Sequence, residues 1–112
     1  MPEVKREIQV KGATVPFYSY EEKGYNVIEF DSSSCMIPEP MINAMLGLEL
    51  LNKENMKLVM INHKSPVGLY PKIDKYFEIQ EKSLTDGRVK LEIFYKKGIS
   101  EYADLNDKSC HG

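Results

Sequence analysis

Cys35, His63 and the carboxylates Asp31 and Glu39 are the residues whose types and spacing bear most directly on chemistry. Three of them fall in one stretch, residues 27–51, VIEFDSSSCMIPEPMINAMLGLELL, in which a buried-strand pattern gives way to a polar loop and then to a proline-primed helix. Pro38, Glu39 and Pro40 mark the junction, because proline's fixed φ and missing N–H suit a first helical turn, where the N–H has no intrahelical partner. The first N–H groups of such a helix aim into loop 31–37 and make a small positive-ended pocket, a place that holds an anion or activates a thiol. A Cys35 thiol with a lowered pKa is one reading of that arrangement. The plainer reading, and the preferred one, is a small loop side chain packed beside Met36.

His63 lies in a second polar loop, NHKSP at 62–66, after the apolar run LVMI at 58–61. Its range of pKa values suits a ligand, a metal or a mobile proton, and it suits equally a structural imidazole that ties the two loops by a hydrogen bond. Both readings stand. Asn62 and Lys64 flank it. Asp31 is expected to accept backbone N–H bonds from the serine turn 32–34, and Glu39 to favour the helix dipole from its first turn. The serines have no histidine near them in sequence, which gives no reason for a triad. Lys64 and Arg88 add positive charge at the same edge, where lone basic residues are usually solvated. A tetrahedral zinc site would need Cys35, His63, Cys110 and His111 together. Only the last two are close in sequence, and their adjacency is poor geometry for ligation, so no metal or cofactor is expected.

These residues need elements to position them. Residues 4–10 alternate as a half-buried strand, with a turn at Lys11-Gly12, and 14–20 form a second extended run that Pro16 confines to an edge. After a polar break at 21–24, Val27, Ile28 and Phe30 are nearly continuous, as in a strand covered on more than one side. The helix after Pro38 carries Met41, Ala44, Met45, Leu48 and Leu51 at helical spacing. Leu69, Tyr70 and Ile73 predict a short helix of about two turns, limited by Gly68 and Pro71. Runs 77–84 and 89–95 flank Asp86-Gly87, a type I′ hairpin signal. Residues 98–112 read as a loosely held tail.

The order from Tyr25 is therefore β-α-β-α-β-β. It predicts an α/β (α+β) two-layer sandwich: a mixed four-stranded sheet with two helices on one face, extended by an N-terminal β-hairpin over 1–24. Both polar loops then leave the carboxyl ends of parallel strands on one edge, where open α/β sheets place ligands. The N-terminal run should add to this sheet or contact a second subunit, a homodimer, since a free hairpin is marginal alone.

Composition sets the outer limits. The 112 residues fit one domain, and 15 basic against 17 acidic residues give a net charge of −2, no electrostatic footprint for nucleic acid or an anionic membrane. No stretch approaches the roughly 20 apolar residues of a membrane span and the N-terminus has no apolar leader, so a cytoplasmic protein is expected. Two distant cysteines agree with a reduced compartment.

Asp31 at a strand end followed by Pro38-Glu39-Pro40 at a helix start resembles the TusA/SirA-like sulfur-carrier family, a two-layer α/β sandwich. The family's Cys-Pro-x-Pro box places a persulfide-carrying cysteine at the helix N-terminus. Ile37 stands at that cysteine's place, and an aliphatic side chain cannot form a persulfide. Asn62, His63, Pro66 and Leu69 in MINHKSPVGLY are similar to an uncharacterised branch of the superfamily. That branch has an Asn/Asp-His-x-x-Pro loop, lacks the box cysteine and is often found beside hemerythrin-like domains. The resemblance covers residues 25–97. It implies a non-enzymatic partner-binding or regulatory module, contacting a sulfur-transfer or hemerythrin-like respiratory protein through Cys35, His63, Asp31, Asn62, Glu39 and Lys64. The alternatives are a sulfur or small-ligand carrier using Cys35 and a metal- or haem-linked sensor using His63. A packed Ile37 and a partly accessible Cys35 are expected.

Overall fold

The computed structural model describes residues 5–96; Val4, the predicted tail 98–112, Cys110 and His111 lie outside them. Six strands and two helices follow the order β1 (Arg6–Ile8), β2 (Phe17–Glu22), β3 (Tyr25–Asp31), α1 (Glu39–Glu49), β4 (Met56–Asn62), α2 (Tyr70–Ile73), β5 (Phe77–Ser83) and β6 (Val89–Tyr95). They form one mixed sheet, ordered β1-β2-β3-β4-β6-β5. β3 and β4 run parallel, with Asp31 level with Ile61, and every other neighbour is antiparallel.

The elements from β3 onward appear in the predicted order, but the four-stranded sheet with an appended hairpin needs correction. β2 pairs with β3 along its whole length, from Phe17 opposite Phe30 to Glu22 opposite Tyr25, so the N-terminal strands belong to a single six-stranded sheet. The expected polar break at 21–24 is a two-residue hairpin. Lys23 and Gly24 take φ of 51° and 86°, the left-handed pair whose twist matches that of the flanking strands. Pro16 sits just before β2 and so removes no ladder bond.

The hairpin at Asp86-Gly87 forms with a different turn from the one expected. Gly87 N–H bonds to the Leu84 carbonyl (3.1 Å), Leu84 N–H bonds to the Arg88 carbonyl (2.8 Å), and Gly87 alone in the turn has positive φ, 92°. That is a three-residue loop with a glycine bulge, not a type I′ turn. α2 is one turn long, shorter than expected, with Pro71 in its opening residues removing an N–H.

Strand alternation puts Phe17, Ile28, Phe30, Leu58, Met60, Leu91 and Ile93 on one face, where Ala44 and Leu48 of α1 and Leu69 and Ile73 at α2 pack against them. Phe17 and Phe30 stack at 4.9 Å. α1 lies directly on β4 at Gly47, where a Cβ would come within 2.6 Å of Leu58 Cδ1, so any other residue there forces the Leu58 side chain to shift. Asn43 fastens the other side of α1. Its Oδ1 accepts from Thr14 N–H (3.0 Å), and its Nδ2 donates to Thr14 Oγ1 (2.9 Å) and to the Glu39 carbonyl (3.0 Å).

Among the described residues the opposite face carries no helix, and its own side chains cover Val27 and Val59, both buried. Lys57 lies 3.5 Å from both Glu22 and Glu92, with its ammonium 5.3 Å from the centre of the Tyr25 ring. Tyr20 donates to Glu29 at 2.6 Å, and Lys5 pairs with the same carboxylate. Burial, then that Glu29 contact, push the Tyr20 phenol far above its usual range. Among the described residues no helix is long and apolar enough to cross a membrane.

Candidate functional site

Parallel pairing of β3 and β4 brings loops 32–38 and 63–69 to one edge, as the order of elements requires. Between them lies a cleft of about 320 Å³, lined by Ile37, Pro38, Pro40 and Met41 on the α1 side and by residues 62–68 on the other. Two apolar side chains of its lining are open to solvent, Ile37 and Val67, 77% and 71% exposed, and Met36, next to Ile37 in the chain, is 78% exposed. The packed Ile37 expected from sequence is thus corrected. The loop turns into α1 with the Ile37 side chain facing solvent, while Pro40 is the buried residue at the helix start.

The roots of the loops are polar, with Ser32 and Asn62 buried and Asp31 exposed. Asp31 Oδ1 accepts from Ser33 N–H (2.8 Å) and Ser33 Oγ (2.5 Å), the turn expected of it, and its other oxygen pairs with Arg88 at 3.1 Å. Ser32 N–H bonds to the Ile61 carbonyl (2.8 Å). The Ser32 hydroxyl points to Asn62 Oδ1 (2.9 Å) and the Ile61 carbonyl (3.1 Å), and Asn62 Nδ2 donates to the Lys64 carbonyl (3.0 Å).

A tie between the loops was one of the two roles open to His63, and Asn62 performs it. Asn62 lies on the helix-covered side of β4 and is 2% exposed. His63, one residue beyond the end of β4, is exposed on the cleft and has no hydrogen bond or ion pair among the described residues. Lys64 is exposed beside it. The sequence signal that could have found the tie is a polar residue at a core-facing position at a strand end, opposite a serine.

Cys35 stands away from this cleft. Its N–H closes a turn on the Ser32 carbonyl (2.9 Å), and its thiol is half-buried near Glu39 and Thr14. Burial, and then the Glu39 carboxylate, push the thiol above its ordinary value, the reverse of the lowering a reactive thiol needs. Glu39 itself accepts from Thr14 Oγ1 at 3.0 Å, holding the β1–β2 connection against the start of α1. The positive-ended pocket is partly closed as well, because Glu39 N–H is used by the Met36 carbonyl (2.9 Å). Cys35 and His63 therefore do not converge.

Among the described residues no group of three or more His, Cys, Asp and Glu side chains is placed to hold a metal ion. Comparison with known proteins finds no matching family model, no matching curated relative and no matching solved structure.

Proposed function

We propose that this chain is a non-enzymatic binding module that receives a protein partner on the loop edge above β3 and β4. The observation that carries the proposal is the pair of solvent-facing apolar side chains Ile37 and Val67 on a formed cleft, with Met36 exposed next to Ile37 in the chain and His63 and Lys64 exposed in the cleft's lining. Large exposed apolar side chains gathered at one place mark interaction sites more often than singly scattered ones do. The buried Ser32–Asn62 tie beneath them holds the two loops in fixed relation, which lowers the ordering cost of binding.

A sulfur-carrier-like scaffold is part of the same proposal, supported by the element order from β3 onward and by Pro38-Glu39-Pro40 at the start of α1. On that scaffold Ile37 turns the position of sulfur transfer into an apolar contact. The cytoplasm is the proposed compartment. Cys35 as a relocated carrier draws no support from its surroundings, since its thiol is held protonated beside a carboxylate.

The test is site-specific photo-crosslinking in the native host, with a crosslinking residue at Ile37 or Val67 and, as control, at Glu54, before β4 at the other end of the strand. Protein adducts at the first two positions, absent at the third and weakened by His63→Ala, are expected. Adducts only at Glu54, or none while the purified protein turns over a small substrate, would overturn the proposal. The scaffold is tested separately by Ile37→Cys, whose thiol pKa should fall below about 8.5 if that position faces the helix N–H groups.

A further inference from the structure

The sheet ends on one side in β5, seven residues without proline or bulge whose outer side is unpaired among the described residues. The ladder to β6 fixes which backbone groups point outward. Leu84 N–H bonds to the Arg88 carbonyl and Lys96 N–H to the Tyr76 carbonyl, so residues 76, 78, 80, 82 and 84 direct their N–H and C=O groups to β6. Phe77, Ile79, Glu81 and Ser83 direct theirs away from the sheet.

Side chains alternate in the same way. Glu78, Gln80 and Lys82 lie exposed on the face opposite α1 and α2. Neither charge has an ion-pair partner among the described residues: Glu78 faces Phe94 across the ladder, and Lys82 faces Lys90, a like charge.

We infer that a second copy of this chain adds to this edge, β5 against β5 antiparallel about a two-fold axis through Gln80. Every two-fold register centred on a residue of β5 joins outward groups to outward groups; this one, with Phe77 opposite the partner's Ser83 and Ile79 opposite the partner's Glu81, also sets Glu78 against the partner's Lys82 twice. Glu78 and Lys82 then sit at non-hydrogen-bonded positions, where side chains approach most closely. Shifting the axis to Glu81 places that carboxylate against its own copy. Shifting it to Ile79 leaves Glu78 against Gln80. Glu81 does not spoil the favoured register, because the Ser65 and Tyr70 hydroxyls already hold its carboxylate toward the α2 side. The result is a continuous twelve-stranded sheet, twice the six strands of one copy, that leaves the loop-edge cleft free.

Sedimentation equilibrium across a range of protein concentrations, at low salt, tests this on the full chain. A monomer–dimer equilibrium is expected. Glu78→Lys alone and Lys82→Glu alone should each weaken it by about ten-fold, because two opposite-charge pairs become two like-charge pairs. The double exchange E78K/K82E should return the affinity to within about three-fold of the parent. Both side chains are exposed, so folding is not at stake, and circular dichroism checks it. A chain that stays monomeric at every concentration, or a dimer that the single exchanges leave unchanged, or one that the double exchange does not restore, would overturn the inference.

Discussion

The roots and the tips of the two loops at the β3–β4 edge are built from opposite materials. At the roots, Ser32 and Asn62 are polar, buried and hydrogen-bonded to each other, and Asp31 closes a turn on Ser33. At the tips, Met36, Ile37 and Val67 are apolar and face water, and His63 has no bonded partner among the described residues. Burial of polar groups is tolerated only when their bonds are made, whereas exposure of apolar groups costs a folded protein little. Stability is thus concentrated in the roots, and the tips contribute little to it.

That contrast can be broken at several places. The largest effect is expected from Asn62→Leu, which removes the acceptor for Ser32 and the donor to the Lys64 carbonyl in a buried site. A loss of about 1–3 kcal/mol in denaturant unfolding is expected. Ser32→Ala should cost less, about 1 kcal/mol, since the backbone bond from residue 32 to the Ile61 carbonyl survives. If the two losses simply add in the double variant, the Ser32–Asn62 bond is not the unit that matters.

Cys35 gives a smaller effect with a definite sign. Its folded-state pKa is raised, so below the free-thiol value of about 8.5 both the folded and the unfolded chain keep the proton. As pH climbs past that value the unfolded chain releases it first, and the contribution to stability is lost as pH rises through the folded value. Alkylation of Cys35 at neutral pH should accordingly be slower than that of a free thiol. Glu39→Gln should speed it by removing the carboxylate; an unchanged rate would mean that burial alone sets the thiol.

The smallest effects belong to the tips. Ile37→Ser and His63→Ala should each change stability by no more than about 0.5 kcal/mol. A loss above about 1 kcal/mol for Ile37→Ser would restore the packed residue that its hydrophobicity suggests.

The distribution of what was legible in the sequence follows from the range of the interactions. Proline at 38 and 40, the apolar run at 58–61 and Asp86-Gly87 are local signals, and they located α1, β4 and the last hairpin. The shared edge of the two loops followed from topology. The choice between His63 and Asn62 did not, because which of two adjacent polar residues turns inward depends on strand register, and register is settled by partners 30 residues away. The exposure of Ile37 was hidden for a similar reason: composition marks it apolar, but Pro40 takes the interior position. That the N-terminal run adds to the sheet was expected, because a free hairpin is marginal; the shortness of β1, Arg6–Ile8 within the expected 4–10, depended on pairing with β2, which alternation in one strand cannot reveal.

The clasp between Thr14 and Asn43 joins residues 29 positions apart, and Thr14 Oγ1 spans 25 positions to Glu39. Helix α1 can coil as soon as its own residues are present, but its final seating waits for a segment made much earlier in synthesis and parked beyond two intervening strands. Contacts of such sequence separation slow a folding reaction, because loop closure is paid before the contact rewards it. The clasp should then form late, and its loss should show chiefly as faster unfolding, with refolding little changed.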